Sequence, residues 1–270
     1  MKSHGLNEDD KPNDAIQWIL EAALSGTSIP ELCSYILYIQ FSALHTSTAC
    51  MTNVLLDLAT HPKFQDPLKT EINTILETNG GWSKEAIIKM RKLDSALRET
   101  ERLNPINTGR EPTTTYKLKI MLTYISATMM RKSLVPYILA DGTHLPEGQW
   151  VVAPGRAINR ASHAYSNPEE YDAFRFSDLR EAPSEVTRYQ RTTSGEGFTS
   201  FGGGKHACPG RFFAAMELKT ILAYIITKYE FRLGDEKEVK PERPKTSFVC
   251  FTSFADSEAP LMLKRRPCNR

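Results

Sequence analysis

Apolar positions along this chain recur mostly at the spacing of helix turns, and strand-like stretches are confined to a few places. Residues 12–24 place apolar groups at 15, 16, 19, 20 and 23, which predicts a short amphipathic helix closed by Gly26. Thr27 or Ser28 can cap the next helix ahead of Pro30. From Pro30 the helical pattern runs to Thr60, where His61-Pro62 stops it. A helix of about 30 residues spans roughly 45 Å, long enough to cross a whole domain. Its flanks are apolar: Leu32, Ile36, Leu37, Ile39 and Phe41, then Val54, Leu55, Leu56 and Leu58. Its centre, Ser42-Ala43-Leu44-His45-Thr46-Ser47-Thr48, puts small and hydroxyl side chains where a buried helix should be most apolar. Hydroxyls there can bond the carbonyl a turn earlier and bend the helix. A long buried helix with such a centre suggests something bound against it.

Helical patterns follow over 63–78, over 82–90 after the Asn79-Gly80-Gly81 turn, and over 93–103 ahead of Asn104-Pro105. Within the last of these, Glu99 and Arg102 are three apart and share a face. Lys132 to Ala140, Asp141-Gly142 and then 146–152 read as strand, turn, strand. Residues 212–229 are helical again, and 248–254 with 261–263 suggest a closing hairpin. The predicted class is mainly α with small β-sheets (α+β).

At 270 residues the chain could hold one large domain or two small ones, and 40% hydrophobic with 24% charged residues is an ordinary globular composition. With 34 basic against 32 acidic residues, nothing suggests nucleic acid as a partner. The five cysteines are scattered, odd in number and without a C-x-x-C pair, which argues against a disulfide framework or zinc site and for a reducing compartment. Residues 1–11 are charged and lack the apolar run of a signal peptide or anchor. No stretch reaches the roughly 18 apolar residues of a spanning helix, so the chain as written reads as cytoplasmic or peripheral.

Chemistry concentrates in 199–211, Thr-Ser-Phe-Gly-Gly-Gly-Lys-His-Ala-Cys-Pro-Gly-Arg, which puts Cys208 on a glycine-rich loop before a helix. The glycines let the chain pass close to a flat ligand. Pro209 suits a first helical turn, which places Cys208 at the cap, where free N–H groups and the helix dipole favour a thiolate. Lys205 and His206 add positive charge. Such a thiolate suits axial ligation of haem iron; a buried structural cysteine after a glycine-rich turn is the alternative.

The order Phe201, Gly204, His206, Cys208, Gly210 resembles the haem-binding loop of the cytochrome P450 superfamily (Phe-x-x-Gly-x-His/Arg-x-Cys-x-Gly). The centre of the long helix resembles that family's central-helix motif, Ala/Gly-Gly-x-Asp/Glu-Thr-Thr/Ser. Aligned so, Thr46 takes the threonine that helps protonate iron-bound oxygen, His45 stands where an acid is usual, and Ala43 replaces a glycine. Glu99-x-x-Arg102 before Leu-Asn-Pro resembles the Glu-x-x-Arg helix, and Phe174-Arg175-Phe176 the Phe-x-Pro-x-Arg-Phe stretch. The resemblance therefore implies a buried structural triad of Glu99, Arg102 and Arg175 that holds the haem loop. It also implies that Arg131 and His206 meet the haem propionates.

The resemblance covers the C-terminal half of a typical member: long central helix 30–60, Glu-x-x-Arg helix 93–103 and haem loop 199–211. The N-terminal half, with the anchor that usually ties the family to the endoplasmic reticulum membrane, is expected to be absent. Residues 108–127 have no counterpart, and the flanks rejoin well without them, which predicts translated intron or another gene-model error. Ser-Ala-Leu-His-Thr-Ser-Thr and Met-Met-Arg-Lys-Ser-Leu-Val-Pro-Tyr look most like fungal secondary-metabolism members that oxidise terpenoid-like scaffolds.

What the resemblance implies is a haem-thiolate monooxygenase of a hydrophobic small molecule. Its cofactor would be haem b (iron protoporphyrin IX), with Cys208 as the iron ligand. Electrons would come from NADPH through NADPH-cytochrome P450 reductase. Two other readings stand beside it: a truncated, non-catalytic remnant, and a haem-thiolate isomerase or dehydratase, against which Thr46 argues.

Overall fold

The structure is a computed structural model that describes residues 11–106, 127–195, 197–234, 242–244, 247–249, 252–256 and 258–267. The expected insert at 108–127 lies outside the described residues except for Ala127. The chain divides into two units, Met1–Thr48 and Ala49–Arg270.

In the first unit, α1 (Ala15–Ala22) is capped by Asp14, whose carboxylate accepts the Gln17 N–H at 2.9 Å. The second helix, α2 (Ile29–Thr60), starts in this unit. Ser28 and Glu31 cap it reciprocally, with Ser28 N–H donating to Glu31 Oε2 at 2.9 Å and Glu31 N–H to Ser28 Oγ at 3.5 Å. The pattern predicts a long helix buried throughout, and here the structure differs. Leu37, Tyr38, Phe41 and Leu44 are 65–73% exposed, and the buried residues of α2 begin only at Cys50. The physical reason lies within the unit: α1, the other described helix there, buries none of its own residues. An apolar stripe stays exposed where no second layer packs on it.

The second unit is built around α5 (Arg91–Leu103), of which Leu93 to Arg102 are all buried. With it pack α3 (Gln65–Thr78) and α4 (Lys84–Lys89). Ser83 caps α4 by accepting the Ala86 N–H at 3.1 Å, and Glu71 of α3 accepts the Lys92 and Leu93 N–H groups at the start of α5. Two short helices follow, α6 (Gly155–Ile158) and α7 (Arg175–Leu179); Ser95 Oγ of α5 accepts the Phe176 and Ser177 N–H groups of α7, both at 3.0 Å. The last helix, α8 (Arg211–Lys228), lays Leu218, Leu222 and Ile226 into one core with Val54, Leu58, Leu68, Ile72, Leu93 and Leu97. Closing such a core is the main favourable term, of order 1.5–3 kcal/mol for each fully buried large aliphatic side chain.

Among the described residues, four two-stranded antiparallel sheets decorate this core. They pair β1 (Ala127–Lys132) with β4 (Trp150–Pro154), β2 (Tyr137–Ile138) with β3 (His144–Leu145), β5 (Tyr229–Leu233) with β8 (Leu261–Arg265), and β6 (Ser247–Val249) with β7 (Thr252–Phe254). Residues 261–263, expected in the closing hairpin, pair instead with β5 directly after α8. The pairing sets Leu263 opposite Phe231 and Leu261 opposite Leu233, the two β5 side chains buried in the core. Between Thr128 and Arg131 the β1–β4 register shifts, and Met129 sits there at φ 51°. Such a bulge re-aims neighbouring side chains. The observed architecture is mainly helical with small sheets, an α+β chain. Among the described residues no helix is long and apolar enough to cross a membrane.

Candidate functional site

The cysteine loop closes on itself through main-chain bonds. Gly202 N–H donates to Thr199 O at 2.9 Å, Ala207 N–H to Gly204 O at 3.0 Å, and Cys208 N–H to Phe201 O at 2.8 Å. Gly202 and Gly204 sit at φ +69° and +65°, where a side chain strains the backbone. A Cβ on Gly203 would lie 3.3 Å from Met129 Sδ, which would have to give by a few tenths of an ångström.

Cys208 is a free, half-buried thiol. The sequence places it at the helix cap, and the structure corrects this. Pro209 and Gly210 form a turn, Gly210 is the N-cap and α8 begins at Arg211. The cysteine therefore stands two residues ahead of the cap, where the helix dipole acts more weakly. Positive charge close by comes from side chains instead: Arg211 Nη1 donates to Cys208 O at 2.8 Å, and Lys205 is exposed in the turn just before it, next to His206.

Arg131 of β1 reaches the same loop, its Nη2 3.5 Å from Gly203 O and its Nη1 2.8 Å from Met130 O. Cys208, His206, Phe201, Gly204, Gly210 and Arg131 thus gather at one place. Among the described residues no group of three or more His, Cys, Asp or Glu could hold a metal ion. The loop offers instead one sulfur donor, the Cys208 side chain, beside glycines whose open side at Gly204 has no atom within 4 Å of an added Cβ. Single-thiolate ligation with backbone bared to a planar group is the donor set that haem takes, and the Arg131 guanidinium and the His206 N–H donors match its carboxylates. The residues present fit the group.

Thr46 and His45 belong to the first unit. Thr46 is half-buried, with its hydroxyl donating to Ser42 O at 2.7 Å, the back-bond expected of a mid-helix threonine. His45 is exposed, its ring edge-on to Phe41 at 4.6 Å.

Glu99, Arg102 and Arg175 meet in one buried ion-pair network. Both Glu99 oxygens accept from Arg102, Nε and Nη2 each at 2.8 Å, and Oε1 also takes Arg175 Nε at 3.0 Å and the Asp172 N–H at 3.2 Å. Arg102 Nη1 donates further to Asn159 O at 2.9 Å and Pro168 O at 2.6 Å. The Asn159 side chain in turn accepts the Thr199 N–H at 3.3 Å, at the start of the cysteine loop.

A second buried cluster escaped the sequence reading. Arg191, 1% exposed, grips Glu101 with Nε at 3.1 Å and Nη2 at 2.5 Å, and Cys50 Sγ lies 3.4 Å from the same carboxylate. Burial pushes the Cys50 thiol well up, helped by the Glu101 charge, so it stays a donor. Burial alone would weaken the Arg191 cation, but the Glu101 carboxylate holds it above the usual arginine range. Beside this cluster Arg98 stacks on Phe198 and Phe176, its cationic carbon 4.0 and 4.6 Å from the ring centroids, and desolvation lowers it to about 10. The run Arg98-Glu99-Thr100-Glu101-Arg102 looks like a solvated helix face; the only hint otherwise is charge on two adjoining faces of one helix.

The family model described as Cytochrome P450 matches residues 2–255. The chain is 39% identical over 243 residues to "Cytochrome P450 monooxygenase 71" of Postia placenta, covering 90% of this chain and 45% of that protein. It is 34% identical to "Cytochrome P450 monooxygenase BOA4" of Botryotinia fuckeliana, covering 98% and 50%, and 36% identical to "Cytochrome P450 monooxygenase hepE" of Aspergillus oryzae, covering 98% and 44%. The chain spans about half the length of the curated relatives it matches. A thiol on a glycine loop and a buried Glu-x-x-Arg pair, in a sequence matched almost from end to end, give one answer: this chain belongs to the cytochrome P450 family.

Proposed function

We propose that this chain carries the haem-thiolate part of a cytochrome P450 monooxygenase that oxidises a hydrophobic small molecule. The observation that carries the proposal is Cys208, a free thiol whose N–H is pinned to Phe201 O at 2.8 Å, on a loop left open by Gly204. Haem bound there would supply activation of O2, one oxygen atom entering a substrate C–H bond and the other leaving as water, with two electrons and two protons taken up.

The chain's own residues have separable tasks. Cys208 ligates as thiolate, its charge offset by the Arg211, Lys205 and His206 side chains around the loop. Arg131 and His206 pair with the carboxylates of the group, and Arg131 stays anchored through Gly203 O. Thr46 holds a hydroxyl proton that it can give up by turning away from Ser42 O, with His45 one residue before it. Glu99, Arg102 and Arg175 act on position alone. The electrons come from NADPH through NADPH-cytochrome P450 reductase. The wording around Thr46 and Arg131 supports a substrate of fungal secondary metabolism, terpenoid-like in character.

The test is the reduced carbon monoxide difference spectrum of the chain expressed with haem supplied. A thiolate-type Soret band in the wild type that disappears in Cys208→Ser is the expected result. Equal haem uptake by both proteins, or by neither, overturns the proposal.

A further inference from the structure

The Glu101–Arg191 cluster lies beneath the cysteine loop and is unused by the reading above. The Arg191 guanidinium carbon sits 5.2 Å from the centroid of the Phe201 ring, within cation–π range. Its Nη1 is buried and has no hydrogen-bond partner among the described residues. Phe201 is also the residue whose carbonyl accepts the Cys208 N–H. Next to it, Ser200 Oγ donates to Glu101 O at 3.3 Å. Arg191 itself is fixed at both ends: its side chain by Glu101, its N–H by Asp94 Oδ2 at 3.0 Å, which also takes Arg180 Nη1 at 3.0 Å. One residue of α5 therefore reaches the loop twice, through its own carbonyl and through Arg191.

We infer that Glu101 and Arg191 are positioning residues for the cysteine ligand, holding the Phe201 ring and through it the Phe201 carbonyl that orients Cys208. The inference rests on the reading of Cys208 as a haem ligand. Partners behind a ligand fix its orientation in metal sites generally, and their loss loosens the ligand without removing it.

The test uses the full chain without haem, with Cys33, Cys250 and Cys268 changed to Ser so that Cys208 is the thiol read by a maleimide reagent. In Glu101→Leu/Arg191→Met, which removes both charges together, Cys208 labelling is expected to quicken about fivefold, the equivalent of one cation–π contact of about 1 kcal/mol. Phe201→Leu alone should give the same rise, and the two changes combined should give no more than either, since they cut one route. Where the double variant does not fold, Arg191→Lys takes its place: it keeps the charge, loses the planar fork, and should label faster than wild type. With haem supplied, the same variants should show a reduced carbon monoxide Soret band split between thiolate and non-thiolate forms. Unchanged labelling with merely lowered thermal stability, or labelling effects that add, overturns the inference. Haem uptake by Cys208→Ser equal to wild type would overturn the ligand reading instead, and leaves the labelling result standing on its own.

Discussion

Two carboxylates two residues apart on α5 are both buried against arginine, and they differ in what they hold. Glu99 accepts four hydrogen bonds, from Arg102, Arg175 and the Asp172 N–H, and its arginines go on to carbonyls at 159, 166, 167, 168 and 170. It is a knot that ties a whole segment of irregular chain to one helix. Glu101 has one arginine and one thiol, and the guanidinium of that arginine lies 5.2 Å from the centroid of the Phe201 ring. The first network also holds main-chain carbonyls, the buried Asn159 O among them; the second satisfies chiefly itself. A buried ion pair that serves only itself can be exchanged for apolar bulk at little cost, whereas one that also satisfies main-chain oxygens cannot.

The sharpest way to break this contrast is to neutralise each carboxylate. Glu99→Gln leaves two guanidiniums short of a counter-charge and is expected to cost about 3–5 kcal/mol in urea unfolding, more than Glu101→Gln, which strands one. A loss for Glu101→Gln as large as that for Glu99→Gln would end the distinction. Next in size is the paired exchange. Glu101→Leu/Arg191→Met is expected to stay within about 1–2 kcal/mol of wild type, while Glu99→Leu/Arg102→Met orphans the Asn159 and Pro168 carbonyls at about 1–3 kcal/mol each. Unfolding midpoints of the two double variants, compared at constant m-value, decide it.

The smallest effect is one of pH. Burial raises the folded-state Cys50 thiol above its ordinary value of 9.0, so its contribution to stability is intact below that value and is lost as pH rises from there towards the folded-state value. Wild type should therefore lose stability above about pH 9 through this group, and Cys50→Ala should show a flatter alkaline limb. Parallel alkaline limbs for the two proteins would mean that burial does not raise the thiol in the folded protein.

Much of the fold could be read from the chain because it is carried by local signals. The helix period, Ser28 as a cap, and the Gly80 and Gly142 turns each act within a few residues. The cysteine loop was legible for a related reason: its glycines answer to backbone geometry at their own positions. Pro209 misled by one turn, since Pro209-Gly210 makes its own turn before α8 opens at Arg211. The strand at 261–265 was misjoined because pairing with β5 is decided by the buried Phe231 and Leu233, a long way back in sequence. Arg191 was illegible altogether. Nothing near it in the sequence distinguishes a guanidinium buried at 1% exposure from the exposed Arg188 three residues earlier. Its partner lies 90 residues away.

That sequence distance bears on the order in which the molecule comes together. The bonds that set the loop against α5 close chain separations of 57, 90 and 99 residues, for Arg102 with Asn159, Arg191 with Glu101 and Ser200 with Glu101. Loop-closure entropy must be overcome before such contacts return anything, so structures that depend on them form slowly and late. In pulse-labelled hydrogen exchange during refolding, the Cys208 amide should gain protection after the amides of α5, and simultaneous protection would show the loop to be an independent nucleus. With the loop protected after α5, the thiol is among the last groups in the chain to find its place, so a ligand for it would meet a scaffold already folded.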